Sequence, residues 1–385
     1  MTPYDGPGGP ELTEEQIQEM ERLRSIGYLT GSRPATPVTG ITINDTSRSY
    51  RGLNFYTSGH FPGAVLMNME GQVLHTWERG FLDVWPDQWA DSLSENAQYW
   101  RYAHLFENGD VLAIFEGYGL VKLDRESNVL WAHFGGEHHD LKVLEDGTIC
   151  VLTRRPSLDP RFNPETPVLE DFVTYLTPEG EEIRSVSVLE ALGHSRYARL
   201  LMGTKPAGDV LHTNAVEVLD GDLEHVHGAF RKGNVLVSMR TISLLAVIDE
   251  ATGLVDWAQV GSWKMQHDPS VLRNGHILLF DNNGNQGMSR VIEIDPDNGE
   301  VAWEYKGEEP RDFYSQMCGA ATRLPNGNTL ATESDAGRAV EVTPDGEIVW
   351  EFLNPERAGE DQRFVATLFE MMRLRPDFPL DWIKE

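Results

Sequence analysis

Cysteine is close to absent: Cys150 and Cys318 are the chain's two, and neither lies in a CxxC or other metal-ligand spacing. Two thiols cannot make a disulfide framework for 385 residues, so the fold must rest on an apolar core. Long apolar runs are missing too, and none approaches the roughly 18 residues that a membrane-spanning helix needs. Residues 1–9 hold neither a basic stretch nor an apolar one, so no secretory leader is legible. A cytoplasmic location is the default expectation, with a periplasmic one if a leader has been removed. Positive charge is scarce, 32 Lys and Arg against 61 Asp and Glu, giving a formal net charge of -29. That field repels phosphate backbones and anionic lipid surfaces, which argues against nucleic acid or a membrane as partner. An anionic substrate would have to be met by a local cationic pocket. There is no GxSxG elbow, P-loop or GxGxxG.

What the chain has in quantity is turns and repetition, with 36 Gly, 21 Pro and 40% hydrophobic residues. From about Arg51 a unit recurs. Its first half is an apolar strand, an Asn/Asp-Gly turn at Gly109, Gly147, Gly275 or Gly327, and another apolar strand. Asn-Gly and Asp-Gly supply the positive φ that tight hairpins demand. Its second half is a strand, a turn and a strand closing on Trp77, Trp131, Trp257, Trp303 or Trp350, with a weaker copy from Val173 to Ile183 that lacks the Trp. Four strands per unit and six second halves predict an all-β fold, a six-bladed β-propeller with short N- and C-terminal helical extensions. Residues 1–40 read as an N-terminal helix and linker, with a capping box of Thr13 and Gln16 opening a helix that runs to Ile26. The ring occupies 41–355, and 356–385 form a C-terminal helix, from Glu360 to Arg373, and a tail packed on the propeller. The first unit lacks a clear innermost strand; residues 38–46 supply it, or the two termini share the closure.

The first strand of each propeller blade lines the axis. Eight residues before the turn glycine stand Arg101, His139, His267 and Gly319, with His212 and Asn214 in the matching strand of blade four. Asp140 and Asp268 follow two of the histidines and are placed to accept from ring nitrogens and fix tautomers. His138, one residue out of phase, is expected to point away from His139. Seven residues after the turn glycine, Arg154 and Arg240 hold matching strand ends, and Arg290 opens a later strand. Guanidinium groups facing a pocket bind sulfate or phosphate oxygens bidentately. Asp281-Asn282-Asn283-Gly284-Asn285 has the look of a calcium loop but lacks the distal Glu and reads as a turn.

These segments resemble the bacterial arylsulfotransferase family, the aryl-sulfate sulfotransferases that work without PAPS. The likeness lies in His212-Thr213-Asn214-Ala215-Val216 with Leu236 to Arg240, and in Gln266-His267-Asp268 with Phe280-Asp281-Asn282 and Ser289-Arg290. The resemblance implies sulfuryl transfer from a phenolic sulfate ester to a phenol-type acceptor through a sulfohistidine, with no cofactor and no metal. It implies a small anionic aromatic substrate, with His212, His267 and Arg290 as catalytic residues; from the repeat count His139 joins them as catalytic, and Arg101, Arg154, Asn214, Arg240 and Asp268 are expected to bind substrate. The sequence departs from the family at one point: the nucleophilic His is expected in Tyr314 to Ala321, yet no histidine follows His276. His139 or His267 would then take its place. Two other readings compete. One is a metal-dependent lyase or hydrolase with His139, His212 and His267 as ligands; the other is a propeller that binds a partner without catalysis.

Overall fold

The computed structural model describes residues 13–16, 18–19, 31, 33–88, 93–160, 163–205, 207–307, 312–359 and 361–383. Each repeat folds into a four-stranded antiparallel meander, and six meanders form the blades of a propeller. Blade two runs Tyr102–Leu105, Val111–Phe115, Gly119–Leu123 and Val129–His133. Blades three to six repeat it from innermost strands Glu137–Val143, Thr213–Val218, His267–Val271 and Ala320–Arg323. The hairpin glycines Gly109, Gly147, Gly275 and Gly327 have φ of 87, 85, 86 and 90°, the left-handed region the turn requires. Middle strands such as Leu244–Ile248 are buried throughout because blades cover both their faces, which is why they read as unbroken apolar runs. Outermost strands such as Val129–His133 and Val301–Tyr305 keep one face in solvent.

The recurring tryptophans fasten one blade to the next. Trp77, Trp131, Trp303 and Trp350 donate their indole N–H to the carbonyls of Gly109, Pro178, Pro344 and Met69 in the following blade, at 2.7–3.1 Å. A ring that is apolar except for one donor suits a joint that is dry but ends on a backbone acceptor. Blade three lacks the Trp, and there Arg184 instead reaches Glu250 of blade four at 3.1 Å.

The structure corrects the sequence reading at the closure of the ring. The helix expected from Glu360 to Arg373 does not form over the described residues 361–373: Leu368–Leu374 is the innermost strand of blade one, paired antiparallel with Leu53–Ser58. Leu, Met, Glu and Arg favour a helix in isolation. The unpaired edge of Leu53–Ser58 demands a strand, however, and Leu368, Phe369 and Met371 become buried when it is supplied. Gly40–Asn44 is likewise not the first blade's inner strand but a fifth, outermost strand on Ile348–Leu353 of blade six. Both termini therefore close the ring. Arg373, its side chain fully buried, donates to Glu341 and Asn54 at 2.7 Å each and stacks on Trp350, pinning blade one to blade six.

At the N-terminus the capping box forms, with Thr13 N–H on Gln16 Oε1 at 2.8 Å and Gln16 N–H on Thr13 Oγ1 at 3.2 Å. Most of the helix expected beyond it lies outside the described residues. Cys150 and Cys318 are buried free thiols, pushed up to about 12 and about 11 by burial, and are not reactive nucleophiles. Among the described residues no helix is long and apolar enough to cross a membrane.

Candidate active site

The innermost strands converge on an axial cavity of about 20 Å³ lined by Arg101, His139-Asp140, Asn214-Ala215, His267-Asp268, Gly319-Ala320 and Phe369-Glu370. The count of eight residues from the turn glycine thus marks one ring of positions. In blade four Asn214 holds that place, and His212 stands two residues earlier. Three of these strands slip register where the site residues lie, at His139, His212–Asn214 and His267–Asp268. His139, His212, Met265 and Asp268 have left-handed backbones, φ 57, 51, 56 and 49°. Each costs roughly 1–2 kcal/mol, and bulges of this kind re-aim side chains beside active sites.

His267 is the most completely specified of the histidines. Asn282 donates its amide to the carbonyls of Ser315 (2.7 Å) and Cys318 (2.8 Å), which fixes its Oδ1 toward His267 Nδ1 at 2.8 Å. Met265 O lies 3.0 Å from the same nitrogen. Two acceptors on Nδ1 require that it carry the proton, so Nε2 holds a lone pair. That Nε2 is buried without a hydrogen-bond partner among the described residues. Burial first, then Arg240, holds the imidazole well below its ordinary pKa and keeps it neutral. The flanking residues hold it in place. Gln266 donates to Ser238 Oγ, Met239 O and Leu244 O of blade four, and Asp268 accepts Ala321 N–H of blade six at 2.9 Å.

Arg240 is half-buried, its Nε has no partner, and its guanidinium meets no carboxylate among the described residues. On the opposite side His139 packs edge-on against His212 (5.0 Å) and His138 (5.0 Å). His212 Nδ1 is hydrogen-bonded to Asp209. Burial raises the Asp209 carboxyl, but His212 and Arg154 outweigh it and hold it at about 2. Arg154 stands 3.4 Å from Glu116, so it serves this cluster and not the cavity wall. Arg101 lines the cavity and lies over the Phe369 ring.

Several expectations need correction. Arg290 is not at the axis: it sits on the blade's third strand, bound to buried Asp281 at 2.8 Å, Glu304 at 3.3 Å and Ser262 at 3.2 Å. It does not line the axial cavity: Asp281 across the strand pair and Glu304 on the outermost strand hold it. Asp140 and Asp268 do not set tautomers; they accept backbone N–H groups of the next blade, Val216 and Ala321, and Glu217 does the same for Val271. These carboxylates satisfy donors on the axial edge of each inner strand. His138 does not point away from His139, because the left-handed backbone at His139 brings the two Nδ1 atoms to 2.7 Å. The metal trio of His139, His212 and His267 is not the set that gathers; among the described residues the set within coordinating distance is Glu116, His138 and His139. The calcium-like run is not the turn expected of it: Asp281 to Asn285 is the end of the strand Ile277–Asn285, the turn follows at Gln286 and Gly287, and Asp281 Oδ1 accepts the N–H groups of Lys264 and Gly284.

The residues overlooked as site members are Asn282 and Glu116. Both stand seven residues after a turn glycine, the position that marked Arg154 and Arg240, so the repeat count alone would have found them. Gly319, the ring-equivalent place in blade six, lies against Phe280, whose ring a Cβ there would meet at 2.4 Å.

Residues 103–355, well over half of the chain, match the arylsulfotransferase (ASST) family. No curated protein matches the sequence. Among solved structures, a protein of unknown function from Bacteroides caccae shares 11% identity at a TM-score of 0.54, over 83% of this chain and 98% of its own. A streptogramin B lyase shares 12% identity at 0.47, over 91% and 96%. At such identities the likeness concerns the propeller fold alone. With the propeller, its axial histidines and the sequence match in agreement, the chain belongs to the arylsulfotransferase family.

Proposed function

We propose that the protein transfers a sulfuryl group from a phenolic sulfate ester to a phenol-type acceptor through a sulfohistidine on His267. The observation that carries this reading is the buried, proton-free Nε2 of His267, which has no hydrogen-bond partner among the described residues and lies within electrostatic reach of the Arg240 guanidinium. In the first step the Nε2 lone pair attacks sulfur, the S–O bond to the aryl group breaks, and the phenolate departs with the electron pair. A neutral imidazole is the form that can do this. Arg240 and Arg101 are the cations available to the sulfuryl oxygens and to charge on the leaving oxygen, inside a molecule that otherwise repels anions. Asn214, whose Oδ1 is buried and unpartnered while its amide holds Gln266 O at 2.8 Å, faces the same cavity. In the second step the acceptor oxygen attacks sulfur, the N–S bond breaks, and the acceptor's proton passes to a base. The His212–Asp209 pair is the base this reading assigns.

At Gly319, the ring-equivalent place in blade six, the Phe280 ring leaves no room for a side chain, which favours His267 as the axial nucleophile. The test is to quench the protein with p-nitrophenyl sulfate and map the adduct by mass spectrometry. One SO3 group is expected on the peptide holding His267, and His267→Gln should lose nitrophenolate release by about a thousandfold or more. Turnover retained in that variant, or an adduct on another residue, would overturn the assignment.

A further inference from the structure

Beside the sulfuryl cavity, three potential metal ligands meet in a buried cluster. One donor atom each from Glu116, His138 and His139 lies within 4.8 Å of the others. Successive side chains of a strand normally face opposite ways. The left-handed backbone at His139 overrides this, and the two imidazoles meet with Nδ1 atoms 2.7 Å apart and ring planes at 85°. Glu116 enters from the neighbouring blade. Its Oε2 accepts the His139 backbone N–H at 2.9 Å, while Oε1 makes no hydrogen bond and stands 3.4 Å from His139 Nδ1. Behind the pair, His138 Nε2 faces Asp171 Oδ1 at 3.7 Å, and the other Asp171 oxygen is held by Thr213 N–H at 2.7 Å.

We infer that Glu116, His138 and His139 form a binding site for one divalent transition-metal ion of the zinc type. Two imidazole nitrogens and one carboxylate oxygen are a zinc donor set that leaves the fourth position open, and nitrogen donors select against calcium and magnesium. Burial keeps both imidazoles in the neutral, ligating form. When His138 Nδ1 binds the ion its proton resides on Nε2, which faces the Asp171 carboxylate at 3.7 Å, the carboxylate–histidine–metal order that orients a ligating ring. Arg154, 3.4 Å from Glu116 Oε1, opposes a cation, but it also faces Asp209, and Asp171 and Glu116 add further negative charge. His139 lines the sulfuryl cavity as well, so the ion would lie next to it. Nothing in the sulfuryl-transfer reading requires this ion, and its detection needs no substrate, so either proposal can fail alone.

The experiment uses untagged protein purified without chelators. Elemental analysis should find a transition metal, and the stripped protein should take up one equivalent of Co2+ with a visible d–d band that Zn2+ abolishes. His138→Asn and Glu116→Gln should each weaken Co2+ binding by about tenfold or more. X-ray absorption of the wild-type Co2+ complex, which needs no variant to fold, should show scattering from two imidazoles. No Co2+ band and no Zn2+-induced rise in melting temperature would overturn the proposal. So would binding undiminished in both folded variants, or a Co2+ complex without imidazole scattering.

Discussion

An isosteric change at Asn282 should harm the protein more than truncation does. Asn282 is fully buried and makes three hydrogen bonds, accepting from His267 Nδ1 and donating to Ser315 O and Cys318 O. Asn282→Ala leaves two buried carbonyls and one ring N–H with fewer partners. At about 1–3 kcal/mol per unsatisfied group, and with Met265 O still facing Nδ1, the loss should be about 2–4 kcal/mol. Asn282→Asp keeps the shape but turns a carboxyl oxygen toward two carbonyls at 2.7 and 2.8 Å. At neutral pH the introduced group must be protonated to stay, and even then it offers one donor for two acceptors. Its folded-state pKa is therefore raised. Stability relative to wild type should improve as pH falls, by up to about 1.4 kcal/mol per unit, or about 2.7 kcal/mol from pH 7 to pH 5. Urea unfolding of both variants at pH 5, 6 and 7 measures this. The reasoning fails if Asn282→Asp is at least as stable as Asn282→Ala at pH 7, or if the gap is the same at all three pH values. Catalytically, Asn282→Ala should slow p-nitrophenyl sulfate turnover about tenfold, the equivalent of one lost hydrogen bond to the ring.

The two arginines quoted in the family-like segments should separate cleanly. Arg290→Met strands buried Asp281 and should cost about 3 kcal/mol of stability with KM little changed, read by unfolding and by steady-state kinetics. Arg240→Met should leave the melting temperature near wild type and lower kcat/KM for the sulfate ester about a hundredfold. At the axis, burial and then Asp268 push half-buried Glu370 up to about 8. A carboxyl raised in the folded state takes up protons on folding, so it costs stability as pH climbs from the ordinary carboxyl range through 8. Glu370→Gln should accordingly stabilise the protein far more at pH 9 than at pH 5, checked by melting curves at both.

Much of this site could be read by counting. Arg101, His139, His267 and Gly319 are ring-equivalent because each strand–turn–strand unit holds a constant number of residues before its turn glycine. The same count placed Arg154 and Arg240 on one level, to which Glu116 and Asn282 also belong. Counting failed where backbone conformation left the period. His138 and His139 break strand alternation through one left-handed residue, and His212 precedes its strand. It failed again for Arg290, whose address on the third strand is legible but whose ion pair with Asp281, away from the axial cavity, depends on how the strands pair.

The sequence by itself determined the propeller, its six units and the Trp and Gly that recur in them, because those features answer to local rules of turn geometry and strand burial. It also determined which residue types could reach the axis. Only the tertiary structure decided that Leu368–Leu374 becomes a strand, since an exposed blade edge and not the segment's own propensity selects that form. Only the structure decided which nitrogen of His267 carries the proton. A tautomer is set by its acceptors, and the amide that sets it on His267 is oriented in turn by carbonyls in the next blade.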